Sequence, residues 1–470
     1  MLQMLTYQDL LDVEEGNEKK RMDFVLNAIH THKSSDQYKI AKIADDYNRE
    51  QNTTIMQYQK LLYTVSGEAV QDMVSANHKL CSNFFNRFIT QEVQHLLGNG
   101  VSWDDGKTEL IFGDDFDNAL QKIAESALVG GVAFGFWNMD HLNCFSLLDF
   151  IPLWDEEDGA LKAGVRFWQI DPLKPLRATL YEMDGYTDYI WKGGEEPAVL
   201  HPKRQYKILV SSSPVDGSEI LDGENYPGFP IVPLWANKRH QSELVGRREQ
   251  IDCYDLIKSG FANDLDDCSQ IYWILQNAGG MDEVDLATFL NQIRRVHAAV
   301  VEDNGARAES HTVDIPYNAR ETILSRLRDD LHEDFMALDI KSIIGGASTA
   351  TQIRASYELL TEKCDGFEYC ILEFLSGIKM LAGVEGIPSF TRSMIVNVNE
   401  NIQTLVAAAQ YLPEDYVTTK ILEYLGDGDK ADEVLKQKDE EDMERFGNGS
   451  SEEENGYGAE TAGTETDSGV

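Results

Sequence analysis

The chain has 470 residues, 42% of them hydrophobic, and carries a formal charge of −40. It is too long for one ordinary domain and apolar enough for a packed core, which excludes a wholly disordered protein. So acidic a surface repels bare nucleic acid and anionic membranes at long range.

Residues 1–97 read mainly as helices. In AVQDMVSANHKLCSNFFNRFITQEVQHLLGNG (69–100), Met73, Leu80, Phe84, Phe88 and Val93 recur at helical spacing, and Gly98 is a stop signal. A second helix is predicted over 114–128, ending at Gly130-Gly131. From 131 to 235 the chain is rich in aromatic and β-branched residues. VRFWQI and RATLYEM-DG-YTDYIWK alternate as strands do, with a tight hairpin turn expected at Asp184-Gly185. NYPGFPIVPLWANKR closes this β-rich part, its prolines favouring extended chain.

A long helix is predicted from Ser242 to Trp273, with Leu244, Ile251, Tyr254, Phe261, Leu265, Cys268 and Tyr272 in one stripe. About thirty residues at ~1.5 Å each would span roughly 45 Å. Charges such as Glu249, Asp252, Asp255, Asp264 and Asp267 occupy its other faces, and so narrow a stripe suits packing against like neighbours. In the insert at 274–317, MDEVDLATFLNQIRRV reads as helix and HAAVVEDNGARAESHTVDIP as strand, turn and strand. A further helix opens at Asn318, capped by Asn318 with Glu321, and Ile323, Leu327, Leu331, Phe335 and Leu338 give its apolar side.

KSIIGGASTATQIR (341–354) follows. Thr349 and Gln352 cap a third long helix, which runs to about Leu381 with Gly366 as a candidate kink. From 399 to 446 three short helical segments are separated by LPED and GDGD, and the acidic low-complexity tail after Phe446 is expected to be disordered. The fold class is α+β, mainly helical.

Little of this supports catalysis. The 341–354 stretch places its lysine before the glycines and lacks G-x-x-x-x-G-K-[ST], so it is not a nucleotide-binding P-loop. DGDKADE (427–433) lacks the glycine and glutamate of a calcium loop and reads as turn and cap. His30-Thr31-His32 has no second cluster with which to hold a metal. There is no G-x-S-x-G and no H-E-x-x-H, and no cofactor is implied. The six cysteines form no C-x-x-C pair and are expected as buried free thiols. No apolar run approaches the ~20 residues that span a bilayer, and the N-terminus lacks a signal-peptide core, so assembly in a cytosol is expected.

Four stretches, in order, resemble the portal proteins of tailed bacteriophages of the siphophage type. ANHKLCSNFFNRFITQEVQHLLGNGV (76–101) is similar to that family's helix and its following turn, with Gly100 where the family has proline. ALVGGVAFGFWNMDHLNCFSLLDFIPLWD (127–155) resembles a strand pair of which only Pro152 of two prolines remains. YPGFPIVPLWANKR (226–239) matches the closing segment through Phe229, Pro230, Ile231, Pro233 and Asn237. SELVGRREQIDCYDLIKSGFANDLDD (242–267) resembles the stem helix through Ile251, Asp252, Tyr254, Ser259, Asn263 and Asp264.

The resemblance implies a portal fold. Residues 1–241 and 351–395 would be the wing, 242–273 and 318–338 the stem, and 274–317 the clip. Residues 339–350 would be the tunnel loop, 396–446 the crown and 447–470 a disordered acidic tail. It implies a ring of about twelve copies at one capsid vertex, closed by cyclic symmetry, with double-stranded DNA passing through the axis. Lys341, Ser342, Ser348, Thr349 and Arg354 would face that DNA. Arg294, Arg295 and His297 on the clip would meet the terminase large subunit and later a head-completion or adaptor protein. Ile251, Tyr254, Phe261 and Leu265 would pack neighbouring subunits. Major capsid and scaffolding proteins are further implied partners, and no membrane is. An acidic wall lets DNA slide, because phosphate grip rises steeply with each neutralised charge. Two other readings remain open at this point: an acidic DNA mimic or scaffold protein that binds basic partners, and an enzyme with a scattered active site.

Overall fold

The computed structural model describes residues 5–14, 16–63, 67–73, 75–193, 198–212, 219–268, 272–276, 307–311, 317–341, 350–393, 398–426, 428–431 and 433–438. The chain divides into two units, Met1–Asp339 with Tyr357–Ser393, and Ile340–Ser356 with Met394–Val470.

The first unit opens with α1 (Tyr7–Leu11), α2 (Glu18–Ser34), α3 (Asp36–Asn48) and α4 (Thr53–Gln57). A short antiparallel pair, β1 (Leu61–Tyr63) and β2 (Ala69–Gln71), separates them from α5 (Phe84–Leu97). Next come β3 (Val101–Trp103), α6 (Gly106–Phe112) and α7 (Phe116–Gly130). Helix α7 stops because Gly131 takes the left-handed conformation, φ 90°, and caps it.

Among its described residues the β-rich part contains ten strands from Val132 to Trp235, including β4 (Val132–Asn138), β5 (His141–Ser146), β6 (Phe150–Trp154), β7 (Leu161–Trp168), β8 (Leu176–Glu182), β9 (Gly185–Trp191) and β10 (Ala198–Arg204). Strands β6 to β10 form an antiparallel meander. Its alternate residues Leu153, Val165, Leu180 and Tyr189 pack on Val25, Ala28 and Ile29 of α2. The predicted hairpin exists, but Glu182 pairs with Gly185, so Met183-Asp184 forms its tip. Gly185 has φ 144°, and a Cβ there would lie 2.3 Å from the carbonyl oxygen of Arg204.

After β11 (Lys207–Ser212) and β12 (Glu219–Glu224), β13 (Ile231–Trp235) joins β4 and β5 in a three-stranded sheet. β13 is its edge, where Pro233 needs no ladder donor. The long helices follow: α8 (Arg248–Cys268), α9 (Tyr317–Asp334) and α10 (Ala350–Ala382), with β14 (Tyr272–Gln276) paired to β15 (Arg307–His311) and β16 (Pro388–Phe390) to β3. Helix α10 runs unbroken through Gly366. It lies against the three-stranded sheet where glycine permits: a Cβ on Gly135 would lie 2.5 Å from the Phe374 ring.

Three expectations need correction. The helix predicted from 69 begins only at Phe84, and Met73 is 82% exposed. The helix predicted from Ser242 begins at Arg248, because Ser242–Arg247 makes tight turns around Gly246 at φ 81°. At its far end Tyr272 and Trp273 are in β14, so α8 has 21 residues, or roughly 31 Å at ~1.5 Å each. Helix α9 begins at Tyr317, which puts Asn318 inside the helix and not at its cap. The helix predicted within the 274–317 insert lies outside the described residues.

In the second unit α11 (Val398–Ala408) and α12 (Glu414–Leu425) flank the LPED break, and Gly426 caps α12 at φ 84°. Val406 of α11, Tyr416 and Leu425 of α12 and Tyr411 between them are exposed, while Val417 is buried.

Candidate functional site: a helical hairpin and its anchor

Helices α8 and α9 run antiparallel. At one end Arg320 pairs with Asp264, and Phe261 meets Tyr317 edge to face, ring centres 5.6 Å apart. At the other end Arg247 Nε donates to the carbonyl of Asp334 at 2.9 Å, and Gln250 donates to the Asp334 carboxylate. A groove of about 440 Å³ runs between the helices, lined by Leu256, Ile257, Gly260, Ala319, Arg320 and Ile323.

One face of α8 carries Asp252, Asp255, Ser259 and Asn263, spaced by three and four residues. Each of these four is engaged within the chain. Tyr47 and Thr54 donate to Asp252, the latter at 2.7 Å. Asn52 donates to Asp255, which is wholly buried and whose carboxyl burial pushes above its usual range. Ser259 Oγ accepts the Leu80 amide at 3.0 Å, and Asn263 Oδ1 accepts the His78 amide at 2.6 Å. Four helical residues rise ~6 Å, a span that two residues of non-helical chain can cover. Residues 78–82 therefore satisfy backbone amides on α8, which is why the helix predicted there does not form.

Helix α5 anchors the hairpin. Phe84 and Phe88 flank the His332 ring, at centre distances of 6.3 and 5.1 Å, and Phe88 also contacts Phe335 at 4.8 Å. Arg87 Nη2 donates to His332 Nε2 at 3.0 Å, so Nδ1 carries the proton given to the Arg328 carbonyl at 2.8 Å. Burial holds this imidazole below its ordinary value, with the nearby Arg87 and Arg328 charges acting in the same sense. Gln91 bonds both backbone groups of Leu338: its Nε2 donates to the carbonyl, and its Oε1 accepts the amide, each at 3.1 Å.

On the next turn, the ammonium of Lys363 lies 2.6 Å from Glu92 and 3.1 Å from Glu243, and Arg247 reaches Glu243 at 2.9 Å. Burial pushes Glu92 up; Lys363 and Arg247 hold Glu243 below the usual carboxylate range against its own burial. Burial opposes the charge on Lys363, but the two carboxylates hold its value above the ordinary one. This cluster joins α5, the root of α8 and α10, and borders a cleft of about 610 Å³.

Of the four residues expected to pack neighbouring subunits, Ile251 is wholly buried by its own chain and presents no surface to another copy. Tyr254 is half-buried edge-on to Phe84, Phe261 is half-buried on Tyr317, and Leu265 is 46% exposed. Lys341 and Arg354 are exposed in the second unit. Ser342, Ser348, Thr349, Arg294, Arg295 and His297 lie outside the described residues. The sequence reading missed Gln91, Glu92, His95 and Lys363. Glu92 was detectable: it sits between Phe88 and Leu96 on the apolar face of α5, where a lone carboxylate needs a buried partner.

Five described cysteines are free; Cys364 is buried, with its thiol pushed up to about 12 by burial, whereas Cys253 is exposed. Among the described residues no cluster of three or more His, Cys, Asp or Glu is placed to hold a metal ion. No described helix is long and apolar enough to cross a membrane.

Residues 26–445 match the model of the phage portal protein family, SPP1 Gp6-like. The chain belongs to that family: it is a portal protein, the connector at a capsid vertex of the virion through which the genome is packaged. Among its relatives, the portal protein of Bacillus phage SPP1 is 23% identical over 424 residues, 78% of this chain and 79% of the relative. That of Clostridium phage phiCD119 is 27% identical over 376 residues, 72% and 80% of the two chains. Solved structures with similarity include the neck of an empty gene transfer agent particle computed with C6 symmetry (TM-score 0.43, 10% identity, 72% of this chain and 90% of that one). The neck of the native particle, computed with C12 symmetry, gives a TM-score of 0.41 at 11% identity over 72% and 89%.

Proposed function

We propose that copies of this chain close into a ring of about twelve subunits around double-stranded DNA, by the cyclic symmetry common in homo-oligomers. Residues 242–273 and 318–338, which carry the α8–α9 hairpin, are the stem, 274–317 the clip, 339–350 the tunnel loop and 396–446 the crown, with 1–241 and 351–395 as the wing. The supporting observation is the division of labour on α8. Its polar row is used inside the subunit, while the groove between Leu256 and Ile323 and the exposed Leu265 are left for a neighbour. Tyr254 and Phe261 complete that contact; Ile251 does not belong to it.

Lys341, Ser342, Ser348, Thr349 and Arg354 meet phosphates transiently, so the duplex slides between weak contacts. Arg294, Arg295 and His297 dock the terminase large subunit and then a head-completion protein, and the ring's rim meets capsid and scaffolding proteins. The chain is not itself an enzyme; the motor's ATPase comes from the partner. Negative-stain imaging of the purified protein tests the core of this reading. Closed rings with a central hole are the expected result. Monomers or dimers at high concentration would overturn it in favour of an acidic scaffold or DNA mimic.

A further inference from the structure

The segment that joins α9 to α10 leaves and re-enters the first unit on one helix, α5. On the leading side, Met336 takes φ 53° and ends α9, so helix continuation does not set the path of the next residues. Gln91 does: one primary amide bonds both the carbonyl and the amide of Leu338, each at 3.1 Å. A donor and an acceptor on the same planar group fix a peptide in position and in rotation, as a bridge between strands would. Leu338 is 6% exposed, and Asp339 is held by Arg328 at 2.5 Å. On the returning side, the Tyr357 ring stacks on His95 at 5.4 Å, and Lys363 meets Glu92 at 2.6 Å. Gln91 and His95 are one helical turn apart.

We infer that α5 is the fixed member that sets the separation of the two ends of this segment, and that Gln91 is the positioning residue at its leading end. The inference rests on the proposed role of that segment beside DNA. It makes Gln91 matter for translocation although it touches neither DNA nor motor.

The experiment uses full-length rings assembled into capsids with their motor, with Gln91→Leu and Gln91→Glu. Two readouts are taken: hydrogen exchange of the peptide around Leu338, and DNA packaged per capsid. Gln91→Leu removes both bonds at similar volume. Rings should form at wild-type yield, exchange around Leu338 should rise about tenfold or more, and packaging should fall several-fold. Gln91→Glu keeps the acceptor for the Leu338 amide, so exchange should stay near wild type and packaging should fall less. Unchanged exchange in Gln91→Leu, or raised exchange with unchanged packaging, overturns the inference. So does a Gln91→Leu chain that fails to assemble beside a Gln91→Glu chain that packages like wild type. A wild-type chain that forms no ring and supports no packaging defeats the proposed function instead.

Discussion

The side-chain oxygen of Asn263, near the end of α8, accepts the backbone amide of His78 at 2.6 Å. With Ser259 on Leu80 and Asp255 beside Asn52, it makes α8 the template for a segment, residues 78–82, that forms neither helix nor strand. Removing one acceptor leaves a part-buried amide unpaired. Ser259→Ala and Asn263→Leu should each cost ~1–3 kcal/mol, with hydrogen exchange rising at residues 78–82 before global unfolding. Equilibrium urea denaturation with exchange mass spectrometry checks this. Unfolding that leaves 78–82 as protected as the α8 backbone would contradict it.

Lys363 is shared between two buried carboxylates, so its loss is not a simple deletion. Lys363→Met should destabilise by ~3–5 kcal/mol, because Glu92 and Glu243 are then left facing each other without their common counter-charge. Adding Glu92→Gln should recover much of that loss, since a neutral amide no longer repels Glu243 and Arg247 still pairs with it. A double variant no more stable than the single one, by calorimetry, would refute the assignment.

His32, His95 and His332 are each held below the ordinary imidazole value, with burial the leading cause. They fold neutral and gain protons on unfolding, so folded stability is full above the ordinary histidine range and declines as pH falls through ~6.5 toward their lower native values. Thermal melts between pH 7.5 and 5 should show a falling midpoint, and His332→Gln should flatten part of the slope. A midpoint that rises over this range would be the wrong sign.

The fit of α10 on its sheet can be read through two glycines. Gly135→Ala places a methyl group 2.5 Å from the fully buried Phe374 ring and should cost ~1–3 kcal/mol. Gly366→Ala, in the same long helix, meets nothing within 4 Å and should stabilise by up to ~1 kcal/mol. Opposite shifts in denaturation midpoint are the expected pair; equal shifts would mean the contact at Gly135 is not limiting.

Sequence alone determined the elements whose signals are local. The period of α7 and its glycine cap, the β-rich run after Gly131, α10 ending near Leu381, and the LPED break were all legible, because helix period, strand alternation and turn chemistry act within a few residues. The four ordered motifs also led to the family. Tertiary structure alone decided which face of α8 is internal, that residues 78–82 are not helical, and that Ile251 is enclosed while Leu265 is not. It also brought Glu92, Glu243 and Lys363 together. The reason is physical: the bond between His78 and Asn263 joins residues 185 positions apart. A partner at that distance leaves no periodicity in either stretch, so only the closed fold reveals it.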